Sequence, residues 1–505
     1  MAEPSPPEIG GTEKLASKVA RQIEADIVRR GWTIGESLGS EQALQQRFRV
    51  SRSVLREAVR LVEHHQVARM RRGPNGGLLI CQPDAGPATR AVVIYLEYLG
   101  TTLDDLLNAR LVLEPLAASL AAERIDEAGI DRLRAVLHAE EHWKPGSPPP
   151  RDEFHVALAE QSKSPVLQLF IDILMRLTTR YALQSRADSA IEAIEAVDQM
   201  HHDHSQIVAA VTAGDAARAK TLSERHVEAV TAWLQEHHPG DRGRPRTPRR
   251  LRLNGDAPRG KLGEMLAATI GDDIAASGWR VGSVFGTETA LLERYQVSRA
   301  VFREAVRLLE YHSVAQMRRG PGGGLIVTRP QAQASIDTIA LYLQYRKPRR
   351  EDLRCVRDAI EIDNVAKVVK RRAEPEVAAF LETHASVLGG NPAETGGDVR
   401  TAAVEEFRFH LGLAQLAGNA LLDLFLRIII ELFRRHWSST GQALPTGPTS
   451  WPSSMRMCGF FRLSRPATTA SPAIASVVTW TPQLPGGSKP SGLRRIRVDV
   501  TFSRA

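Results

Sequence analysis

Residues 51–80 read SRSVLREAVRLVEHHQVARMRRGPNGGLLI, and residues 298–327 read SRAVFREAVRLLEYHSVAQMRRGPGGGLIV. Twenty-one of the thirty positions match without a gap, at an offset of 247. Within the first stretch, Ser51 can cap a helix running to about His64. Val54, Ala58, Leu61 and Val62 give that helix an inward face, and Arg52, Arg56 and Arg60 recur every four residues on another. The segment ARMRRG–PNGG–LLICQ then reads as two strands around a Gly-rich turn.

Upstream, residues 14–30 carry Leu15, Val19, Ile23 and Ile27 at a spacing of four, an amphipathic helix that Gly31 ends. Ser40 to Phe48 predicts a short helix with Ser40 as its N-cap, broken at Arg49-Val50. Helix, helix, basic helix and hairpin make a winged helix-turn-helix. The major groove of DNA admits one such helix, and arginines in its N-terminal half reach guanine edges or phosphates. Ser51 and Ser53 at the helix start can donate to phosphates. Between Arg47 and Arg72 lie eight arginines and two glutamates; between Arg294 and Arg319 lie six and two. The wing tip, Arg71-Arg72-Gly73, suits a minor groove. A solvated basic helix is the plainer alternative, but the whole pattern occurs twice.

The repeat extends beyond the opening stretch. Leu15 matches Leu262, Trp32 matches Trp279, Tyr95 matches Tyr342, Arg110 matches Arg357 and Glu114 matches Glu361. Phe154-His155 matches Phe409-His410 at an offset of 255, so copy two holds about eight extra residues, assigned to its loop LGGNPAETGG. A whole protein has been duplicated, with the copies joined by residues 239–260, PGDRGRPRTPRRLRLNGDAPRG, an extended linker whose six arginines between 242 and 252 could also touch phosphates. After Trp437 the correspondence ends. Residues 438–505 hold 19 Ser/Thr, 8 Pro, eight basic residues and one acid, which predicts disorder or sequence read out of frame after a lesion in the gene.

Length and composition set the outer bounds. The 505 residues carry 66 Lys+Arg against 58 Asp+Glu, a net +8. That balance points to polyanions such as nucleic acid or an anionic membrane surface. No run of 18 apolar residues exists, so no membrane helix is expected. The N-terminus MAEPSPPEIGG lacks the basic and apolar regions of a signal peptide, and Cys81, Cys355 and Cys458 form no disulfide framework. A cytoplasmic location is the expectation.

Gly35-Glu36 through Leu38, then SEQALQQRFRVSRSVLREAVRLVE and RRGPNGG, resemble the DNA-binding domain of GntR-type transcription regulators, over about 70 residues of each copy. The resemblance implies that Ser51, Arg52, Ser53, Arg56 and Gly73 contact an operator. It implies the same for Ser298, Arg299, Arg303 and Gly320. The basic pattern adds Arg60, Arg71 and Arg72 in copy one, and Arg307, Arg318 and Arg319 in copy two. Copy two departs by Ala300, which lacks the hydroxyl of Ser53. Gln42 and Thr289 stand where many members carry Arg.

Residues 86–238 carry six or seven amphipathic helical segments with no strand-like alternation, broken at KPGSPPP and at Ala213-Gly214-Asp215. They resemble the all-helical effector (FCD) domain of the FadR subfamily. The expected architecture is therefore mainly α, a winged helix-turn-helix plus a helical bundle, in tandem. Its spans are 12–82 and 86–238 in copy one, then 261–329 and a truncated 331–437 in copy two. His155, His204 and His226 lie on three separate helices and could converge, as ligands in helix bundles do. The resemblance implies one divalent transition metal, such as zinc, held by these three and a carboxylate. The family places that carboxylate four residues before the first His, where this chain has Arg151. Either Asp152 ligates from three residues back, or the Arg151 guanidinium supplies the positive charge. Otherwise the histidines are buried and hydrogen-bonded around an organic anion. His201 and His202 are expected at the surface. Arg110 either holds the carboxylate of a small effector or pairs with Glu114 one turn on. Copy two keeps Arg357, Glu406 and His410 but has no counterparts of His204 and His226, so neither metal nor effector is expected there.

These readings define an effector-responsive transcription regulator, most simply a repressor, on a pseudo-palindromic double-stranded operator. The chain would pair internally or with a second chain as a homodimer. A nonspecific architectural DNA binder is the alternative favoured by the basic linker and tail, and a decaying gene product is another. A metal-dependent hydrolase has no nucleophile motif in its favour. GPNGG and GPGGG also lack the Lys-Ser/Thr of a phosphate-binding loop.

Overall fold

The computed structural model describes residues 15–71, 73, 76–142, 153–182, 190–237, 259–318, 320, 322–389 and 399–440, with two short strands at 475–478 and 495–498. Copy one begins with α1 (Leu15–Arg29), α2 (Glu41–Phe48), α3 (Arg52–His64), β1 (Ala68–Arg71) and β2 (Gly77–Ile80). Its helical domain follows as α4 (Ala85–Leu99), α5 (Leu103–Arg124), α6 (Glu127–Glu141), α7 (Glu153–Gln161), α8 (Pro165–Ala182), α9 (Ala190–Thr212) and α10 (Ala216–His237). Copy two has α11 (Arg259–Ala276), β3 (Val284–Gly286), α12 (Glu288–Tyr295), α13 (Arg299–Tyr311), β4 (Ala315–Arg318) and β5 (Gly324–Val327). It continues with α14 (Ala332–Arg346), α15 (Arg350–Lys370), α16 (Pro375–Gly389), α17 (Val399–Ala417) and α18 (Ala420–Thr440). In the tail, β6 (Ala475–Val478) pairs antiparallel with β7 (Arg495–Val498). The remainder of 441–505 and the linker up to residue 258 lie outside the described residues.

Local chemistry sets the helix starts. Ser40 Oγ accepts from the Ala43 amide at 3.2 Å, and Ser51 Oγ from the Val54 amide at 3.4 Å. Thr102 and Asp105 exchange side-chain and backbone bonds as a capping box at the start of α5. Ser298 caps α13 as Ser51 caps α3.

The described chain divides into two compact units, one comprising residues up to 363 with 418–435, the other 364–417 with those beyond 435. In the first unit both winged domains bury a core of their own. Copy one packs Val19, Ile23, Ile27, Leu44, Leu55, Val62, Leu78 and Ile80 together. Copy two packs Leu266, Ile270, Leu291, Phe302, Leu309, Leu325 and Val327. Each core also receives a residue from the other copy. Leu341 of α14 joins the copy-one core, and Ile94 of α4, its equivalent at offset 247, joins the copy-two core. The aromatic contacts cross in the same way. Tyr345 meets Trp32 edge-on at 5.2 Å, and Tyr98 meets Trp279 edge-on at 5.4 Å.

The helical parts join as well. Phe170 of α8 and Phe425 of α18, equivalent at offset 255, stack at 4.0 Å and are fully buried. Arg124 donates to Asp352 at 2.7 Å and to the Ser162 carbonyl at 2.9 Å. Arg346 donates to Gln168, and Asn419 to the Asp105 carbonyl, each at 2.9 Å. Within the first unit, then, residues of each copy pack against equivalent or neighbouring residues of the other. In the second unit Val368, Val377, Phe409 and Leu413 form a small core.

Candidate DNA-reading helices and histidine centre

The two wings share their construction. Ala68 pairs with Ile80 and Arg71 with Gly77, as Ala315 pairs with Val327 and Arg318 with Gly324. The amide of Met70 donates to Glu63 at 2.8 Å, and that of Met317 to Glu310 at 2.9 Å, so the end of each basic helix fixes its wing. At the tips Gly73 and Gly320 have φ of +104° and +98°, a region that costs any side chain strain. A Cβ at either would meet open space, so the requirement is conformational. Gly77 is different. A Cβ there would meet Ser37 Oγ at 2.5 Å and the Gly39 carbonyl at 2.7 Å.

The predicted DNA-facing side chains fall on the outer face of α3 and α13. Arg52, Arg56, Arg60, Arg299, Arg303 and Arg307 are all exposed, as are Ser51, Ser53 and Ser298. Arg71 and Arg318 lie at the ends of the first wing strands, where Arg318 donates to the Gly322 carbonyl at 3.2 Å. Arg72 and Arg319 lie outside the described residues. Ser51 and Ser53 share a hydrogen bond of 2.9 Å between their hydroxyls. Arg307 pairs with Glu304 at 2.8 Å.

Beside these arginines lies Glu41, the first residue of α2, to which the sequence alone assigns no role. It accepts from Arg52 at 3.0 Å and from Arg56 at 2.8 Å. These two bonds hold its carboxyl below the usual range. Its equivalent Glu288 lies 3.8 Å from Arg299.

The second candidate site lies in the copy-one helical domain. His155 comes from α7, His204 from α9 and His226 from α10, and all three are buried. One nitrogen from each lies within 4.8 Å of the others. Phe154 stacks on His204 at 3.7 Å between ring centres and walls the cluster. Each histidine also has an outer carboxylate. His155 Nδ1 lies 2.8 Å from Glu114, His204 Nδ1 3.0 Å from Glu140, and His226 Nδ1 3.3 Å from Asp203. Carboxylates in that position fix the tautomer and turn Nε2 inward as the ligand atom.

Burial, followed by the neighbouring imidazoles, holds His204 well below its ordinary pKa. Burial also lowers His226, partly offset by its hydrogen bond to Asp203. Both rings are therefore neutral and able to ligate near pH 7. Their Nε2 atoms are 3.2 Å apart. Two nitrogens bound to one tetrahedral zinc at 2.0–2.1 Å would be separated by about 3.3 Å. The residues present fit a metal ion.

Arg110 does not stand alone in this site. It is buried with Glu114, to which it donates at 2.5 and 3.4 Å. Burial opposes the charge on Glu114, yet Arg110 and then His155 hold its carboxyl far below the ordinary range. The arginine, the glutamate and the first histidine form one chain of contacts. Asp152, the fourth expected ligand, and Arg151 lie outside the described residues. His202 is exposed as expected, but His201 is half-buried, with Nδ1 3.6 Å from Glu140, because α6 packs over that turn of α9. Burial raises the Glu140 carboxyl, opposed by His155 and His201. Glu114, Glu140 and Asp203 are the members of the site that sequence reading did not place around the histidines. In copy two Arg357 and Glu361 remain paired, at 3.5 Å. Among the described residues no second cluster of three possible metal ligands occurs.

Two winged helix-turn-helix domains with arginine-lined recognition helices, joined to helical domains, define a DNA-binding transcription regulator. The model for bacterial regulatory proteins of the gntR family matches residues 15–74, and the FCD domain model matches 105–229 and again 352–454. The chain is similar to the HTH-type transcriptional regulator LutR of Bacillus subtilis, 28% identical over 204 residues, which covers 39% of this chain and 90% of LutR. It is also similar to the Uxu operon transcriptional regulator of Escherichia coli, 28% identical over 235 residues, covering 43% and 86%. Among solved structures, Streptococcus agalactiae GntR aligns with 43% of this chain and 99% of its own, at 22% identity and a TM-score of 0.33. The chain belongs to the GntR family of bacterial regulatory proteins, in the FadR branch that carries an FCD domain, here as a tandem duplication. Both of these relatives are named as regulators of transcription. Among the described residues no helix is long and apolar enough to cross a membrane.

Proposed function

We propose that this chain is a self-contained regulator, most simply a repressor, that reads both halves of a pseudo-palindromic operator in the cytoplasm. The observation that carries this reading is the reciprocal packing of α4 and α14. It holds two winged domains in one compact unit, as dimerisation does for a single-copy regulator. The recognition helix α3 presents Ser51, Arg52, Ser53, Arg56 and Arg60 to one half-site. The helix α13 presents Ser298, Arg299, Arg303 and Arg307 to the other. The wing tips at Gly73 and Gly320, with Arg71, Arg72, Arg318 and Arg319, follow the adjacent grooves.

The ligand-responsive part is copy one alone. One divalent transition metal such as zinc would be held by His155, His204 and His226, with Asp152 as the fourth ligand. A bound ion would supply a Lewis-acid anchor for the carboxylate of a small effector. The chain's own residues do the rest. Glu114, Glu140 and Asp203 orient the rings, Arg110 adds positive charge behind His155 through Glu114, and Phe154 closes one side. Thr89 on α4 donates to Asp172 on α8 at 3.3 Å, so a shift of the helical bundle reaches the helix that grips the copy-two reader.

The test is sedimentation of the chain with and without operator DNA, beside footprinting. A single chain that protects two half-sites about one helical turn apart supports the reading. A complex that requires two chains per operator overturns internal pairing and favours the homodimer. Equal affinity for random DNA would favour the architectural alternative, since a regulator prefers its operator by about a thousandfold or more.

A further inference from the structure

Glu41 brings a negative charge to the face that must approach phosphate. Such a charge opposes binding to any DNA, so its place there calls for a compensating role. Its Oε1 accepts from Nε of Arg52 at 3.0 Å and from Nε of Arg56 at 2.8 Å. The two arginines stand one helical turn apart, with side chains 65% and 55% exposed. An Nε contact occupies the side edge of a guanidinium. The end edge, carrying both Nη atoms, is left for another partner. That fork is the geometry that meets guanine O6 and N7 together. A free arginine must give up its rotamer freedom to reach a base edge, whereas one already pinned at Nε has less to lose.

Copy two lacks this clamp. Glu288 stands in the same register, but Arg299 Nε is 3.8 Å away, too far for a hydrogen bond. Glu288 Oε1 is buried and accepts no hydrogen bond among the described residues.

We propose that Glu41 is a positioning residue for base reading, holding Arg52 and Arg56 end-on so that copy one discriminates sequence while copy two chiefly anchors on phosphate. The proposal rests on α3 and α13 being the recognition helices. It predicts an operator whose two halves differ in information, with one strongly specified and one permissive.

The test uses the full chain. Wild-type protein selects sequences from a random duplex pool, and the enriched operator is then titrated beside random DNA of equal length at one salt concentration. Glu41→Gln should lower the ratio of operator to random affinity by roughly tenfold, the scale of one lost bidentate contact. Affinity for random DNA should hold or rise, because a charge that repels phosphate is gone. Glu41→Asp keeps the charge but is too short to reach both arginines. It should lower the ratio with random-DNA affinity unchanged, which keeps the test open if the glutamine variant folds poorly. Glu288→Gln should leave the ratio within about twofold. A Glu41→Gln ratio equal to wild type overturns the proposal. So does a parallel loss of operator and random binding at intact thermal stability, which is what a merely structural role produces. If wild type enriches no sequence, or Arg52→Ala leaves enrichment unchanged, the recognition-helix reading itself has failed.

Discussion

The two winged domains hold the same scaffold and differ in what they show to DNA. Asp26 ties Arg47 at 2.9 Å, as Asp273 ties Arg294 at 2.6 Å. Glu63 and Glu310 fix their wings, and Gly77 and Gly324 admit the close approach of Ser37 and Gly39 in copy one and of β3 in copy two. The outer layer diverges. Glu41 grips two arginines where Glu288 approaches one, and Ser53 becomes Ala300. Beneath that layer, buried Glu24 bonds His65 at 2.5 Å, while the position equivalent to Glu24 is Gly271. The helical domains diverge further, since among the described residues the one histidine cluster lies in copy one. Two readers carried on one chain can thus differ residue by residue, as those of two identical chains cannot.

The largest effect should come from breaking the junction between the copies. Phe170→Ala and Phe425→Ala should each cost about 3–5 kcal/mol, because both rings are fully buried. The double variant should cost less than the sum of the two, since the stacked pair is worth about 0.5–1.5 kcal/mol beyond burial. Denaturant melts of the four proteins measure this. Strict additivity would mean that the rings do not meet and that the copies do not pair as described.

A second contrast lies between Arg110–Glu114 and Arg357–Glu361. The first pair is 1% and 3% exposed at 2.5 Å, the second 14% and 15% at 3.5 Å. Glu114→Ala leaves a buried guanidinium uncompensated and should cost about 3 kcal/mol or more. Glu361→Ala, from a longer and somewhat less enclosed pair, should cost less than Glu114→Ala. Equal losses would mean that the copy-two pair is as enclosed as its counterpart.

The readers were legible in sequence because their signals are local. Arginines at a spacing of four, a serine cap and a glycine turn are decided within thirty residues. The three histidines were legible as a set because each sits on its own helix. Their carboxylate partners were not. Glu140 reaches His204 only because α6 packs on α9, and Glu114 faces both Arg110 and His155 only because α5 packs on α7. The exchange of α4 and α14 was also hidden. Self-similarity shows that each copy has the parts of a whole protein, but not that Tyr98 seats on the tryptophan of the other copy.

Acid should act on the histidine centre of copy one, which has no counterpart among the described residues of copy two. His204 and His226 are held below their ordinary value of 6.5, so the unfolded chain binds more protons than the folded one as pH falls below that value. Their contribution to stability is full above about pH 6.5 and is lost as pH falls through their lowered folded values. Zinc at a hundredfold excess over its dissociation constant should add about 2.7 kcal/mol at neutral pH, and this gain should also fade in acid as protons compete for the rings. Metal analysis should find one ion per chain, and none in His204→Ala. Two ions per chain would place a site in copy two and erase this contrast.

The smallest effect tests the outer layer of the readers most directly. Ser53→Ala gives copy one the surface of copy two, and Ala300→Ser does the reverse. Ser53 is exposed and its one hydrogen bond is to Ser51, whose capping of α3 does not depend on it. Stability should therefore stay within about 0.5 kcal/mol in both variants. DNA affinity should move in opposite directions by a few-fold, about what one phosphate hydrogen bond contributes. The Ser53→Ala loss should be uniform across operator and random DNA, because a hydroxyl on a phosphate carries no sequence information. A loss confined to the operator would instead place Ser53 on a base edge, and the sequence difference between the two readers would then rest on this hydroxyl as well as on the arginine clamp.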